Sequence, residues 1–366
     1  MLRRCILNNS NTAVQNSQIG AYQLLATFNS YFRIEDEAGF IIIMACAVAH
    51  HISGEMLWVR LYGGSRSGKT ELLRAIADHG DSAKLEVITP ASIRGGLEDG
   101  GRLLSRIDGK LVITKDLSSM LTAKRELRNE VFGLMRNVKD GELVSDFGTR
   151  EGSIHQLAKF DWLIATTPVF AQYRAMEDLL GSRFIDLKWN PANREEMTLR
   201  ALENDPNLPS IRQEMADATG SLIDQCKAKP IPELDSDLKN VIVYLADLTA
   251  RLRSPVARDR IHQIRFFPEP EVGTSLAQNL GRIAKGLMLL DIPDVRPFLI
   301  RLCLDSISYN RIELLSELVK GAVQTTNRSW FELDDLRLLG ICDKSESGYS
   351  LKPDLLSAVQ ILLAYR

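Results

Sequence analysis

The stretch that decides the fold is Gly63-Gly64-Ser65-Arg66-Ser67-Gly68-Lys69-Thr70. It matches the pattern G-x-x-x-x-G-K-[ST], in which glycines allow the backbone to aim its N–H groups at phosphate oxygens. The flanks also fit, because a strand pattern, Leu57–Tyr62, precedes the stretch and a helical pattern, Lys69–His79, follows it. We predict a phosphate-binding loop in which Lys69 reaches the β- and γ-phosphates of a nucleotide and the Thr70 hydroxyl binds Mg²⁺.

Outward from this loop, short apolar runs alternate with amphipathic stretches. The runs read as buried strands and are Met56–Tyr62, Ala83–Thr89, Lys110–Lys115, Phe160–Thr166 and Phe184–Trp189. Helical patterns such as Lys124–Val138 separate some of them. This alternation predicts an α/β fold with a parallel five-stranded sheet that helices cover on both faces.

A carboxylate follows one of these runs. The apolar strand Leu111–Lys115 ends at Asp116, where nucleotide hydrolysis requires an acid to hold Mg²⁺ or to orient water. The neighbours of this carboxylate are Lys115 and Leu117, so a second acid is missing at this point. Asp116 is predicted to hold Mg²⁺, to act as the base, or to do both, and an aspartate that caps the next turn is the alternative. Slow or regulated hydrolysis is expected.

Composition narrows the class of protein. The 366 residues are 45% hydrophobic and 25% charged, which is typical of a globular protein and excludes a disordered chain. Lys and Arg number 45 against 47 Asp and Glu, so any nucleic-acid contact has to come from a local surface. The longest apolar run, Ala38–Ala49, is shorter than the roughly 20 residues that span a bilayer. The cysteines form no Cys-x-x-Cys pair, and we expect a reduced, cytoplasmic protein without a membrane partner.

The order of these features resembles AAA+ ATPases, within them the branch with an extra hairpin before sensor 1, which includes the minichromosome maintenance helicases and the sigma-54 activators. After Lys69 come Asp116, a helix, the segment Asp140–Thr149 and a strand that ends at Thr166-Thr167-Pro168. The segment Leu179–Phe184 follows. The resemblance covers about residues 50–190 and implies a P-loop NTPase αβα sandwich, with ATP and Mg²⁺ as cofactors.

The resemblance also implies roles for two residues. Thr166, or its neighbour Thr167, would be sensor 1, which contacts the γ-phosphate or the attacking water; a capping threonine is the alternative. Arg183, in Leu179-Leu180-Gly181-Ser182-Arg183-Phe184, would be the arginine finger that acts on the nucleotide of a neighbouring subunit, and a plain surface arginine is the alternative. A finger supplied by a neighbour requires a homo-oligomer, for which a hexameric ring is expected.

Two segments would contact the DNA on which such a motor acts. The segment Glu142–Gln156 has strand-like pairs around Gly148–Gly152, and in the helicases a hairpin here touches DNA with a basic tip. Arg150 is the basic residue near this tip. The segment Thr89–Leu104 resembles the insertion that the family carries in its second helix. Packing between subunits is the alternative for both.

The chain is expected to have an N-terminal helical segment (1–49), an ATPase core (50–193), a helical lid with connecting helices (194–293) and a winged helix-turn-helix domain (294–366). In the lid, Arg282 is predicted as the cation above the nucleotide, with Arg258 and Arg260 as competitors. The last segment is read as helix, helix and hairpin, and it would bind DNA or another protein.

The function expected from the sequence is an ATP-hydrolysing AAA+ motor that acts on DNA, helicase-like or replication-associated, from a mobile element or phage. The alternative is a slow or non-hydrolysing nucleotide switch that regulates a partner or promoter through its winged helix. The lone carboxylate of Asp116 favours the switch.

Overall fold

The structure is a computed structural model that describes residues 20–64, 67–94, 103–117, 123–146, 153–167, 183–190, 193–259, 261, 263–265, 269–324 and 330–364. Its first seven strands are β1 (Trp58–Tyr62), β2 (Ser82–Lys84), β3 (Leu111–Thr114), β4 (Leu143–Asp146), β5 (Ser153–Gln156), β6 (Asp161–Thr166) and β7 (Ile185–Lys188). Five of them form a parallel sheet in the order β2-β3-β6-β1-β7. Strands β4 and β5 pair with each other in an antiparallel hairpin.

The predicted parallel five-stranded sheet is therefore confirmed. Each strand of the sheet lies within or beside one of the predicted apolar runs, although the strands are shorter than the runs. In the register of the sheet, Tyr62 lies beside Thr166. Because β6 separates β1 from β3, the carboxyl ends of these three strands are neighbours at one edge of the sheet. That edge is where ligands bind in parallel sheets.

Helices cover both faces of the sheet. The first six are α1 (Ala21–Tyr31), α2 (Glu37–Ala49), α3 (Lys69–Ala77), α4 (Pro90–Arg94), α5 (Leu103–Ile107) and α6 (Arg125–Lys139). Side chains of β1 and β6 alternate between the faces, as the period of a strand requires. Val59 and Leu163 join α2 and α3 in one apolar cluster, whereas Trp58 and Trp162 join α4, α5 and α6 in a second.

The helices after residue 193 pack onto the first of these faces. They are α7 (Arg194–Asn204), α8 (Leu208–Lys227), α9 (Ser236–Arg253), α10 (Thr274–Leu289) and α11 (Arg296–Asp305). Except for α7, which buries no residue, they contribute to the same apolar cluster as α2 and α3. Helix α10 approaches α2 so closely that a Cβ on Gly286 would overlap the carbonyl oxygen of Ala45. The helices of the expected lid thus share one core with the sheet.

The last part of the chain contains α12 (Tyr309–Leu318), α13 (Trp330–Leu338), β8 (Cys342–Ser345), β9 (Gly348–Leu351) and α14 (Leu356–Leu363). Strands β8 and β9 form an antiparallel hairpin, and Val323 adds a bridge to Tyr349. Arg258, from the segment after α9, binds Asp334 and Asp335 of α13 at 2.9 and 2.7 Å. This pairing, together with apolar residues of these elements that belong to the main core cluster, attaches the hairpin and its helices to the body of the protein.

Within the part of the chain that the structure describes, no helix combines the length and the apolar character that crossing a membrane requires.

Candidate functional site

The loop between β1 and α3 is held by its own lysine. Lys69 is 5% exposed, and its Nζ donates hydrogen bonds to the carbonyl oxygens of Gly63 (2.8 Å) and Gly64 (2.7 Å) and to the Ser67 hydroxyl (2.9 Å). Gly68 precedes the helix in the left-handed conformation, φ 87°, which favours glycine. Ser65 and Arg66, also predicted in this loop, lie outside the described residues.

The shape of the loop depends on a residue that the sequence did not single out, Trp189. Its indole N–H donates to the carbonyl oxygen of Ser67 at 2.7 Å. A Cβ on Gly63 would lie 3.0 Å from the Trp189 Cβ and 3.1 Å from Lys69 Nζ, so a larger residue would crowd the loop. Trp189 follows β7, the strand that pairs with β1, and it forms one wall of the loop. The pairing of these two strands is the signal that would have found it, and sequence alone does not give that pairing.

The loop has the donors that a phosphate group requires. The ammonium of Lys69, the first turn of the nine-residue helix α3 and the exposed Thr70 hydroxyl meet at one edge of the sheet. A helix N-terminus presents unpaired N–H groups and partial positive charge, which favour an anion. Gly64 is exposed, so this part of the loop is open to solvent. This donor set fits the phosphates of a nucleotide.

Asp116 follows β3, at the same edge of the sheet as the loop and two strands away from β1. Burial lowers the pKa of Lys69 to about 8, and the negative charge of Asp116 opposes that shift. The carboxylate, which is exposed, is therefore near enough to influence the ammonium. The preceding Lys115 points elsewhere, since its ammonium pairs with Glu86 at 2.8 Å. The side chain of Lys115 is thus directed towards Glu86 and away from the loop.

Thr166 is at the end of β6, between the loop and Asp116. Its carbonyl oxygen accepts a hydrogen bond of 3.3 Å from the Gly63 N–H, which ties the strand to the loop. Its buried hydroxyl donates a hydrogen bond of 3.4 Å to the carbonyl oxygen of Thr167. Thr167 itself is half-buried. Both threonines are at the carboxyl edge of the sheet, beside the loop.

Arg183 lies at the amino-terminal ends of the parallel strands, opposite to the loop. It precedes β7, whereas the phosphate loop follows the carboxyl end of the parallel strand β1. The four residues of β7 separate the two edges by about 13 Å at 3.3 Å per residue. The guanidinium pairs with Asp140, at the end of α6, at 2.8 Å. Arg183 is thus remote from the loop of its own chain.

The prediction that Arg282 lies above the nucleotide is wrong. Its guanidinium is buried against Asp161, the first residue of β6, at 2.7 and 3.0 Å, at the edge away from the loop. Burial alone would raise the pKa of Asp161, but hydrogen bonds with His50 and Arg282 hold that pKa below its usual value. Helix α10 turns the face that carries Arg282 onto α2, and helical periodicity does not reveal which neighbour a face meets.

The competing lid arginines do not fill this place among the described residues. Arg258 is paired with Asp334 and Asp335, as described above, and Arg260 lies outside the described residues. The hairpin predicted around Arg150 has its two strands, β4 and β5, but the tip with Arg150 also lies outside the described residues. Helix α13 uses its acidic residues internally, because Asp334 also binds Arg337 at 2.7 Å.

Comparison with known proteins adds no relative to this picture. No protein-family model and no curated protein matches the sequence. The assignment therefore depends on the geometry of the loop and its neighbours.

Proposed function

We propose that the chain binds ATP and Mg²⁺ at the loop of residues 63–70 and hydrolyses the nucleotide, as an AAA+ ATPase of the kind that its sequence resembles. The observation that carries the proposal is the position of Lys69 between β1 and α3, bonded to three oxygens of its own loop. The ends of β6 and β3, with Thr166 and Asp116, lie beside it.

Each of these residues has a distinct task in this proposal. Lys69 and the first turn of α3 bind the phosphates. Thr70 and Asp116 would hold Mg²⁺, which supplies charge neutralisation when it is bound. Thr166 or Thr167 orients the attacking water from the neighbouring strand end. On binding, Lys69 would donate its hydrogen bonds to phosphate oxygens in place of the loop oxygens that it contacts in the structure.

The proposal includes an oligomer, because Arg183 is at the edge of the sheet away from its own loop. A guanidinium there can stabilise the charge of a transferring phosphoryl group only in a neighbouring copy. The ion pair with Asp140 keeps the side chain at the surface, with 30% of it exposed. A ring of identical subunits would bring each Arg183 to the loop of the next subunit.

DNA as the substrate of the motor is supported by the position of the β4–β5 hairpin. The Nε2 of Gln156, in β5, donates to the carbonyl oxygen of Arg94, in α4, at 2.9 Å. The end of one segment that the resemblance assigns to DNA contact therefore touches the other segment. The winged-helix reading of residues 294–366 is also part of this proposal, with attachment to the body rather than base recognition as the task of α13, since its acidic residues bind Arg258 and Arg337.

A slow nucleotide switch is the second candidate, and one observation favours it. The residue before Asp116 is Lys115, whose pairing with Glu86 leaves Asp116 as the acid at the end of β3. In a site with a single acid, the same carboxylate has to serve both metal binding and water activation. Such a site would bind nucleotide tightly and turn it over rarely.

The test is steady-state ATP hydrolysis by the full chain, alone and with single-stranded DNA, duplex DNA or RNA. Stimulation of about tenfold by one polymer, a barrier change of about 1.4 kcal/mol, would support the motor. Tight ATP binding without turnover under every condition would contradict the motor and leave the switch. Failure to bind ATP would overturn both.

Subunit mixing tests the role of Arg183. Arg183→Ala should abolish hydrolysis and leave nucleotide binding intact, whereas Lys69→Met should abolish binding. An equimolar mixture of the two inactive variants should regain activity, because an intact Arg183 then meets an intact loop in a neighbouring subunit. A mixture that stays inactive while it assembles would contradict the shared site.

A further inference from the structure

Helix α8 lies along the phosphate-loop helix α3 and binds it at both ends. Near the loop, Arg212 of α8 binds Glu71 of α3 through two parallel hydrogen bonds, Nε to Oε2 at 2.8 Å and Nη2 to Oε1 at 2.7 Å. At the other end, Lys227 binds Asp81, which follows α3, at 2.7 Å. At this far end, His79 also lies 3.1 Å from a carboxylate oxygen of Asp224. The Arg212 and Lys227 pairs therefore join the same two segments but differ in their distance from the loop.

The position of Glu71 makes its charge important. Glu71 directly follows Thr70, so it lies in the first turn of α3, where the helix N-terminus would meet a phosphate. Its side chain is only 17% exposed, and solvent therefore screens the carboxylate weakly. An unpaired carboxylate in that turn would repel a bound nucleotide, which itself carries several negative charges.

Arg212 removes this repulsion. A bidentate guanidinium–carboxylate pair is a strong and geometrically fixed interaction. The pairing with Glu71 raises the pKa of Arg212 above its usual value. Arg74 approaches the same carboxylate, but its Nε is 3.5 Å from Oε2, longer than a good hydrogen bond. Arg212 is thus the principal partner of Glu71 among the described residues.

We propose that Arg212 is a positioning residue of the nucleotide site, which neutralises Glu71 and fixes the first turn of α3 so that Lys69 and Thr70 face the phosphates. The inference depends on the nucleotide binding proposed above. Unlike the cation that was expected above the nucleotide from Arg282, Arg212 acts through helix α3 and without contact to the nucleotide.

Charge removal in two steps distinguishes this role from simple helix packing. Arg212→Gln leaves Glu71 charged, with only the longer contact to Arg74 at 3.5 Å, so the affinity for ATP, measured with a fluorescent ATP analogue, should fall about tenfold. Adding Glu71→Gln to that variant removes the charge, and the affinity should return to within about threefold of the original protein. If the pair only held the helices together, the double variant would bind no better than Arg212→Gln.

Lys227→Gln is the matched control, because it removes an ion pair between the same segments that lies far from the loop. It should leave ATP affinity unchanged and, because this pair is more exposed and has a single hydrogen bond, lower the melting temperature no more than Arg212→Gln does. If the original protein binds ATP and Arg212→Gln binds it equally well, the inference is wrong and the proposed function stands. If the original protein binds no ATP, the proposed function itself fails.

Discussion

Raising the pH from 7 to 9 should weaken nucleotide binding, because Lys69 loses its proton in this range. Burial lowers the pKa of this ammonium to about 8, compared with about 10.4 for an exposed lysine. A phosphate beside the amine favours its charged form, so the pKa rises when the nucleotide binds. The terminal phosphate titrates near pH 6 to 7 and is fully ionised throughout the upper part of the range.

The size of the effect follows from the pKa. A group with a pKa of about 8 is about 90% protonated at pH 7 and about 10% protonated at pH 9. If the charged amine is the form that binds phosphate, the dissociation constant rises about tenfold between these pH values. At pH 9, each nucleotide that binds should bring about 0.9 proton with it.

Calorimetry measures this uptake directly. Titrations at pH 9 in two buffers with different heats of ionisation give the number of protons taken up, and the omission of Mg²⁺ removes the metal from the comparison. Asp116→Asn should move the pH midpoint lower, because the charge of Asp116 opposes the lowering of the Lys69 pKa. An affinity that stays constant from pH 7 to pH 9, with less than about 0.2 proton taken up, would refute the reasoning.

Three further predictions concern other residues. Trp189→Phe keeps an aromatic wall but removes the hydrogen bond to the Ser67 carbonyl oxygen, so ATP affinity should fall about fivefold, as about 1 kcal/mol per hydrogen bond implies; unchanged affinity in a fluorescence titration would show that the wall is not needed. Arg282→Met leaves Asp161 buried without its main partner and should lower the free energy of unfolding by about 3 to 5 kcal/mol in urea, while the folded variant keeps its ATP affinity. Burial lowers the pKa of His51 to about 4, below the about 6.5 of an exposed histidine, so the unfolded chain binds the extra proton and stability is lost as the pH falls from about 6.5 to 4. His51→Gln should make the stability less sensitive to pH in this range, and an unchanged acid profile would exclude His51 as the source of the loss.

The elements of the sheet could be predicted because their signals are local. Each strand is a short apolar run, and the glycines and lysine of residues 63–70 mark where β1 ends and α3 begins. The hairpin of β4 and β5 was indicated in the same way, by strand-like residues on both sides of glycines. These signals depend on neighbours in the chain, which the sequence displays directly.

The roles of the arginines could not be predicted, because they depend on contacts between distant parts of the chain. Arg282 lies on an amphipathic helix, and its partner Asp161 is 121 residues away in sequence. Glu71 and its partner Arg212 are 141 residues apart. A charged residue on a helix is usually solvated, and only the packing of one helix on another distinguishes a buried ion pair from a residue that serves a ligand.

The two edges of the sheet set different requirements for the proposed activity. Lys69, Asp116 and Thr166 meet at the carboxyl edge, so in the proposed activity the groups that bind the nucleotide all come from one chain. Arg183 is at the amino edge and is bound to Asp140. If hydrolysis uses this arginine, its guanidinium has to bind the phosphates of a nucleotide on a neighbouring subunit in place of the Asp140 carboxylate. Binding would then be a property of the chain, and turnover a property of its assembly, so the ATPase rate per subunit should rise with protein concentration while the ATP dissociation constant does not.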